Sequence, residues 1–502
     1  MAATAIHSPS ALRVLVTGAT GYVGGRLIPE LLASGHHVRA VTRTDGWLRD
    51  AAWAEQVEIV TADLLERGSL TAVLAEIDVA YYLVHSIGSG ARFADQDRQA
   101  AENFATAARD AGVGRIIYLG GLADENSAEL SQHLASRTEV GHILSQSGVP
   151  TIVLRAAVII GSGSASFEML RYLTERLPVM ITPRWVATRI QPIAIRDVLR
   201  YLVACARVPP EAVGTYDIAG PEVLTYAEMM HRYASVAELP RRIIIAVPVL
   251  GLRLSSLWVG LVTPVPSRLA RPLVDSLKTE VIARNRDIPA WVPDPPQGLL
   301  GFDEAVRLAL RRVLLSEVTT RWSGSEWLGV PSDPLPSDPD WAGGSLLIDE
   351  RSHLVAASRA ETWPLIESIG GQNGWYSWPW AWGIRGVLDR LMGGVGLRRG
   401  RRDPARLRVG ETLDWWRVED LEPGELLRLR AEMRVPGRAW LEFRLADDPC
   451  GGCRLTQRAL FYPHGLSGQL YWRVIAPFHG PIFGQMVRNL VARAEAERAV
   501  AR

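Results

Sequence analysis

Gly18, Gly21 and Gly24 stand three residues apart in the stretch V-L-V-T-G-A-T-G-Y-V-G, which runs from Val14 to Gly24. An apolar run, Val14, Leu15 and Val16, precedes them, and Val23, Leu27 and Leu31 follow at helical spacing. Strand, tight turn and helix in that order can cradle a dinucleotide pyrophosphate. Gly18 allows the sharp turn, Gly21 lets the backbone approach the phosphates, and Gly24 lets the helix pack close to the strand. Thr20, Tyr22 and Val23 lie in the same cradle. The helix start directs free N–H groups and the positive end of its dipole at the anion. The spacing is G-x-x-G-x-x-G rather than G-x-G-x-x-G, so the strand–turn–helix context carries the reading.

Further groups suit the rest of a nicotinamide dinucleotide. Residues 37–42 (HVRAVT) read as a second strand ending at Arg43. An acid at that point would hold a free ribose 2′-hydroxyl, whereas an arginine accommodates a 2′-phosphate. Arg43 therefore favours NADP(H), and nearby Asp45 keeps NAD(H) open. Asp63 and Leu64 follow a third strand at residues 58–62 and would face the adenine. His85 and Ser86 close a buried fourth strand, at the carboxyl end where such sheets bind ligands.

These groups need a scaffold. Apolar strands at residues 115–119 and 151–154 continue the series, with helical segments at about 95–111 and 134–147 between them. Strands alternating with helices imply an α/β, doubly wound parallel sheet covered on both faces. The chain has 502 residues, 48% of them hydrophobic, enough for two or three domains. A net charge of +1 gives no argument for nucleic acid. Three cysteines, Cys205, Cys450 and Cys453, are too few for a disulfide scaffold, and residues 1–11 have no signal-peptide pattern, so a reducing, cytoplasmic setting is expected.

The first part of the chain, from residue 12 to about 315, resembles the short-chain dehydrogenase/reductase superfamily, in particular its atypical, NmrA-like branch with a DUF2867 tail. The resemblance rests on T-G-A-T-G-Y-V-G-G, the Asp63-Leu64 pair, Y-L-G-G-L from Tyr118, Leu154-Arg155 before Ile159-Ile160-Gly161, Q-P-I-A-I-R-D-V from Gln191 and D-I-A-G-P-E from Asp217. It implies an NAD(P)-dependent oxidoreductase. Active members use a tyrosine acid and a lysine four residues on. That pair cannot occur here, because the single lysine is Lys278 and position 274 is Val274. The matching place carries His133 and Arg137, and the expected serine is replaced by Gly120 and Gly121. Two readings follow. Either His133 is a replacement acid, with Arg137 on the ribose, and the domain reduces an apolar carbonyl or quinone, or the pocket holds NADP(H) without turnover, as a sensor or assembly factor. If Arg137 lies close, it lowers the His133 pKa.

Residues 155–315 read as a substrate-side lobe, with Pro178, Pro183 and Pro192 in loops over the nicotinamide. Within it, residues 242–265 are strongly apolar. Arg253, Pro248 and Pro264 argue against a transmembrane segment. A buried helix is expected there, and a peripheral membrane contact stays open.

Residues 323–344 are dense in Gly, Ser, Pro and Asp and read as a linker between a 1–322 domain and a 345–502 domain. In the latter, a strand at 345–358, a short helix at 361–369, strands at 407–418, 426–435, 439–445 and 453–462, and a helix from Tyr471 onward are expected. G-W-Y-S-W from Gly374, L-D-R-L-M-G-G-V-G-L-R-R-G-R from Leu388 and Leu470-Tyr471-Trp472 resemble the DUF2867 family, and the element order is similar to the α+β helix-grip fold of START/Bet v 1-like proteins. That resemblance implies a site for a hydrophobic small molecule. Trp375, Trp378, Trp380 and Trp382 either line a ligand mouth or pack in the core. The basic run at 397–408 could bind an anion or a phosphate, and reads first as a solvated loop. Cys450 and Cys453 lack a second pair, so no metal site is expected. The oligomeric state stays open.

Overall fold

The computed structural model describes residues 11–43, 46–49, 51, 53–85, 93–123, 130–246, 263, 267–277, 279–314, 346–377, 403, 406–433, 435–449 and 451–501. Its chain divides into two compact units, Met1–Gly344 and Ser345–Arg502. The expected linker at 323–344 lies outside the described residues.

The first unit is built on a seven-stranded sheet. Its strands are β1 (Arg13–Val16), β2 (His37–Thr42), β3 (Glu58–Thr61), β4 (Val79–Tyr82), β5 (Arg115–Gly121), β6 (Thr151–Ala156) and β7 (Gly214–Ile218). All pairings are parallel, and the order across the sheet is β7-β6-β5-β4-β1-β2-β3. From β1 the chain moves to β2 and β3 on one side and then returns to β4 on the other. The order reverses there, so the crevice at the carboxyl ends of β1 and β4 is where such sheets take ligands.

Period-two alternation feeds both faces of this sheet. Val14 and Val16 join one core with Leu27, Ile28 and Leu31 of α1 (Tyr22–Ala33), while Leu15 joins the opposite core with Ala80, Tyr82 and Phe104. Phe104 belongs to α2 (Phe93–Asp110). Helix α3 (Gln132–Ser145) follows β5 and packs on the same side. The lobe has a core of its own, in which Phe167, Leu170 and Leu173 of α4 (Ala165–Arg176) meet Met229, Met230 and Tyr233 of α5 (Tyr226–Val236). Asp217 of β7 is buried and paired with Arg155 of β6 at 2.7 Å, and its second oxygen accepts the Arg284 N–H at 2.8 Å. This ties the lobe's returning loop to the sheet.

The expected buried helix over residues 242–265 does not begin as one. Ile243–Ala246 is a short strand paired in parallel with Val179–Thr182, and residues 247–262 lie outside the described residues. Three consecutive isoleucines favour the pleated backbone, where β-branched side chains fit.

The second unit is a six-stranded antiparallel sheet of β8 (Leu347–Val355), β9 (Thr412–Leu413), β10 (Trp416–Glu422), β11 (Leu426–Ala431), β12 (Gly437–Asp447) and β13 (Cys453–Pro463), in the order β8-β13-β12-β11-β10-β9. A short helix, α6 (Arg359–Glu367), follows β8, and α7 (Gly465–Ala501) is the last element. Leu441, Phe443 and Leu455 from one sheet face pack with Phe483, Met486, Val487 and Leu490 of α7. The single strand expected at 407–418 is instead interrupted at Asp414. That residue takes φ 53° so that its carboxylate can accept the Trp375 Nε1–H at 2.8 Å and the Gly371 N–H at 3.0 Å. α7 starts six residues earlier than the expected Tyr471, at Gly465, which itself has φ 64°.

Candidate functional site

The glycine turn closes as its sequence demands. Gly18 has φ +68°, a left-handed conformation, and a Cβ there would stand 2.7 Å from the Leu83 carbonyl oxygen. A Cβ on Gly24 would meet the Gly18 carbonyl at 2.2 Å. Gly24 thus lets α1 close on the turn itself, not on the strand as its spacing suggested. Gly21 is extended and exposed, and its N–H donates to the Gly18 carbonyl at 2.9 Å. No side chain caps α1 and no acid occupies its first turn. This helix start therefore meets the electrostatic requirement of an anion. A Cβ on Gly18 or Gly24 would meet backbone, so glycine alone lets the turn close this tightly at the helix start, as a pyrophosphate cradle requires.

Thr17, which sequence reasoning passed over, stitches β1 to β4. Its hydroxyl donates to the Tyr81 carbonyl at 3.0 Å and accepts the Leu83 N–H at 3.1 Å. The signal available was its place at the end of an apolar strand, immediately before the first glycine. Arg26, also unforeseen, is buried and holds α1 against the lobe side of the cleft through the Ser162 carbonyl at 3.1 Å. Tyr22 and Val23 are half-buried. Val23 packs on the core, and the Tyr22 hydroxyl lies where a Cβ on Gly161 would stand. Thr20 is half-buried in the turn.

Arg43 is exposed immediately after β2. Asp63 forms a local turn in which its Oδ1 accepts the Leu65 N–H at 3.0 Å, while Leu64 is buried in the core beside Leu70 and Val73. The pair therefore shapes the loop, with Leu64 turned into the core. His85 is exposed after the end of β4, and Ser86 lies outside the described residues.

His133 and Arg137 come from one face of α3, one turn apart. Ser131 caps that helix by accepting the Leu134 N–H at 3.3 Å. Its hydroxyl also meets Ser276 of the lobe at 2.9 Å. Arg137 donates to the Leu119 carbonyl at the end of β5, and its guanidinium lies 5.7 Å from the Tyr118 ring centroid. Gly121 makes this possible, since a Cβ there would stand 3.3 Å from Arg137 Cδ and 2.9 Å from Leu134 Cδ2. The glycine that replaces the expected serine thus makes room for the arginine.

His133, His85 and Arg137 are close enough for their charges to interact. Loss of hydration, then the Arg137 charge, then His85 push the His133 imidazole down to about 3. Packing around His85 and then the Arg137 charge lower its pKa too, although the residue keeps part of its surface in water. At pH 7 both rings are neutral. A protonated acid at His133 is thereby disfavoured, and the ring is left as a neutral N–H donor and acceptor. Nearby tyrosines offer no substitute. Tyr82 and Tyr118 are buried with their pKa raised, chiefly by loss of hydration, and the Tyr118 hydroxyl donates to the Arg137 carbonyl at 3.0 Å.

Among the described residues no cluster of three His, Cys, Asp or Glu could hold a metal ion. Cys450 lies outside the described residues, and Cys453 is buried beside Thr362 at 3.5 Å, its thiol pushed up by burial. Trp375 stacks on Trp415 at 5.5 Å in the core of the second unit, and Trp378, Trp380 and Trp382 lie outside the described residues. No helix among the described residues is long and apolar enough to cross a membrane.

Residues 18–166 match an NAD(P)H-binding family, and residues 341–486 match DUF2867, a family of proteins of unknown function. Ceramide reductase of Caulobacter vibrioides is 28% identical over 240 residues, 46% of this chain and 72% of that protein. The chloroplastic divinyl chlorophyllide a 8-vinyl-reductase of Oryza sativa subsp. indica is 35% identical over 123 residues, 22% of this chain and only 30% of that protein. The structure of Citrobacter triphenylmethane reductase is similar over 60% of this chain and 99% of that one, with a TM-score of 0.48 and 20% identity. The chain thus carries an NAD(P)H-binding domain of Rossmann-like fold, matched over residues 18–166, and a DUF2867 domain matched over residues 341–486.

Proposed function

We propose that the first unit is an NADP(H)-dependent oxidoreductase that reduces an apolar carbonyl compound or quinone. The observation that carries this reading is the convergence of His85, His133 and Arg137 beside a glycine cradle suited to a dinucleotide. The bound nicotinamide supplies hydride. The remaining work falls to this chain's own residues. The neutral His133 ring offers its N–H to the carbonyl oxygen as negative charge builds there. Arg137, which cannot lose its proton, stabilises that charge electrostatically, and its hydrogen bond to Leu119 fixes the guanidinium in advance. The proton that completes the alcohol comes from water at the solvent-open His85 side. Arg43 supports the 2′-phosphate, and with it NADP over NAD. Two relatives bearing the name of reductases support the reaction class.

A second reading keeps NADP(H) bound without turnover, as a sensor or assembly factor. What favours it is the missing tyrosine–lysine pair together with two histidines that resist protonation. In either reading the second unit is of helix-grip type and takes a hydrophobic ligand, which the long α7 packed on a six-stranded antiparallel sheet supports. A cytoplasmic location suits a chain of three cysteines whose Cys205 and Cys453 are free and buried. An NADPH-oxidation assay over carbonyls and quinones separates the two readings. Turnover lost in His133→Ala supports the enzyme, and tight NADPH binding with no turnover on any of them supports the sensor.

A further inference from the structure

The short ribbon formed by Val179–Thr182 and Ile243–Ala246 is apolar on both faces. Its inner face is ordinary, with Met180 fully buried and Ile244 packed on the lobe core. Its outer face carries Val179, Ile181, Ile243 and Ile245, each between 49% and 57% exposed. The register sets Ile243 beside Val179 and Ile245 beside Ile181, so the four side chains form one contiguous patch. A ribbon with one face on a core normally turns polar residues outward. Four β-branched aliphatic side chains there call for a cover.

The surrounding sequence says what kind. Between Glu238 and Asp275 there are five arginines, Arg241, Arg242, Arg253, Arg268 and Arg271, and no aspartate or glutamate. Arg242 is committed to the interior, where its Nε–H donates to the Thr174 carbonyl at 2.7 Å, but Arg241 is exposed beside the ribbon. The chain then runs from Ala246 into V-P-V-L-G-L-R-L-S-S-L-W-V-G-L-V, apolar with one charge and one tryptophan. An exposed aliphatic patch beside the exposed Arg241, in a stretch from residue 239 to 274 that carries no acid, matches the interface of an anionic bilayer. A second copy of the same patch is a poor match, because a two-fold contact sets like charges against each other, and four side chains fall well short of the roughly 800 Å² per partner of a standard interface.

We propose that the outer face of this ribbon, with Arg241, docks the lobe on an anionic lipid surface. This does not rest on the reading of the cleft.

Flotation of the full chain with vesicles of phosphatidylcholine, with and without phosphatidylglycerol, tests it. The chain should float with the anionic vesicles and be released by salt. The double variant Ile181→Ser/Ile245→Ser should bind them at least roughly tenfold more weakly, through lost apolar burial, while keeping the parent's melting temperature and NADPH affinity. If that variant does not fold, Arg241→Glu decides, with loss of the preference for anionic vesicles expected. Flotation unchanged in the variants, or no flotation of the parent, overturns the proposal. So does a lipid-free dimer of the parent that the double variant abolishes, since the patch would then belong to a second copy.

Discussion

The hydroxyl of Tyr118 donates to the backbone carbonyl of Arg137 at 3.0 Å, while the Arg137 side chain returns to the Leu119 carbonyl one residue further along β5. The two bonds lock α3 to the end of the sheet and hold a permanent positive charge beside His133. Arg137→Ala should therefore move the His133 and His85 pKa values upward, toward the ordinary imidazole value but still short of it, because burial remains the larger cause for His133. Arg137→Lys should keep most of the depression. NMR titration of the ring protons reads this directly, and unchanged values in Arg137→Ala would remove Arg137 as a cause.

The same depression makes stability depend on pH with a definite sign. The folded His133 resists a proton that the unfolded chain accepts near 6.5, so the unfolded state binds more protons between about 6.5 and about 3. This group's contribution is constant above about 6.5, and stability is lost progressively as pH falls toward about 3. His133→Gln should flatten that part of the acid limb in melting curves recorded across the range. An identical limb in the variant would place the acid sensitivity elsewhere.

Arg43→Ala should weaken NADPH and leave NADH almost unchanged. Loss of a charge-assisted hydrogen bond removes roughly 1.5–3 kcal/mol, about tenfold to a hundredfold in affinity. Fluorescence titration with both cofactors checks it, and equal losses would reject a 2′-phosphate role for Arg43.

The glycines should divide by what surrounds them. Gly24→Ala places a methyl group 2.2 Å from the Gly18 carbonyl, and Gly18→Ala adds a left-handed strain of about 1–3 kcal/mol to its clash with Leu83. Both should lower the melting temperature and weaken NADPH. Gly68→Ala, in the helix Arg67–Leu74 with nothing within 4 Å of its Cβ, should stabilise by about 0.5–1 kcal/mol. Melting temperatures order the three variants.

What could be read beforehand follows from the range of the interactions involved. The sheet was legible because Val14, Leu15 and Val16 alternate between two cores, and the cradle because the left-handed turn at Gly18 and the contact of Gly24 with the Gly18 carbonyl arise within seven residues of chain, although Leu83 also bars a Cβ on Gly18. The placing of Arg137 was not, since it depends on Gly121 and Leu119, sixteen and eighteen residues away, meeting α3 in space. Ile243–Ala246 was misread as helix because an apolar run without polar interruptions has no period to read. The break at Asp414 was hidden because its partners, Gly371 and Trp375, lie some forty residues earlier.

The reductase account turns on His133, whose neutral N–H is assigned to the substrate oxygen. Steady-state NADPH oxidation by the parent and His133→Ala, with NADPH affinity measured separately for each, tests this most directly. The account predicts unchanged affinity and a turnover lower by at least about a hundredfold in His133→Ala. Turnover at the parent rate in that variant would contradict it.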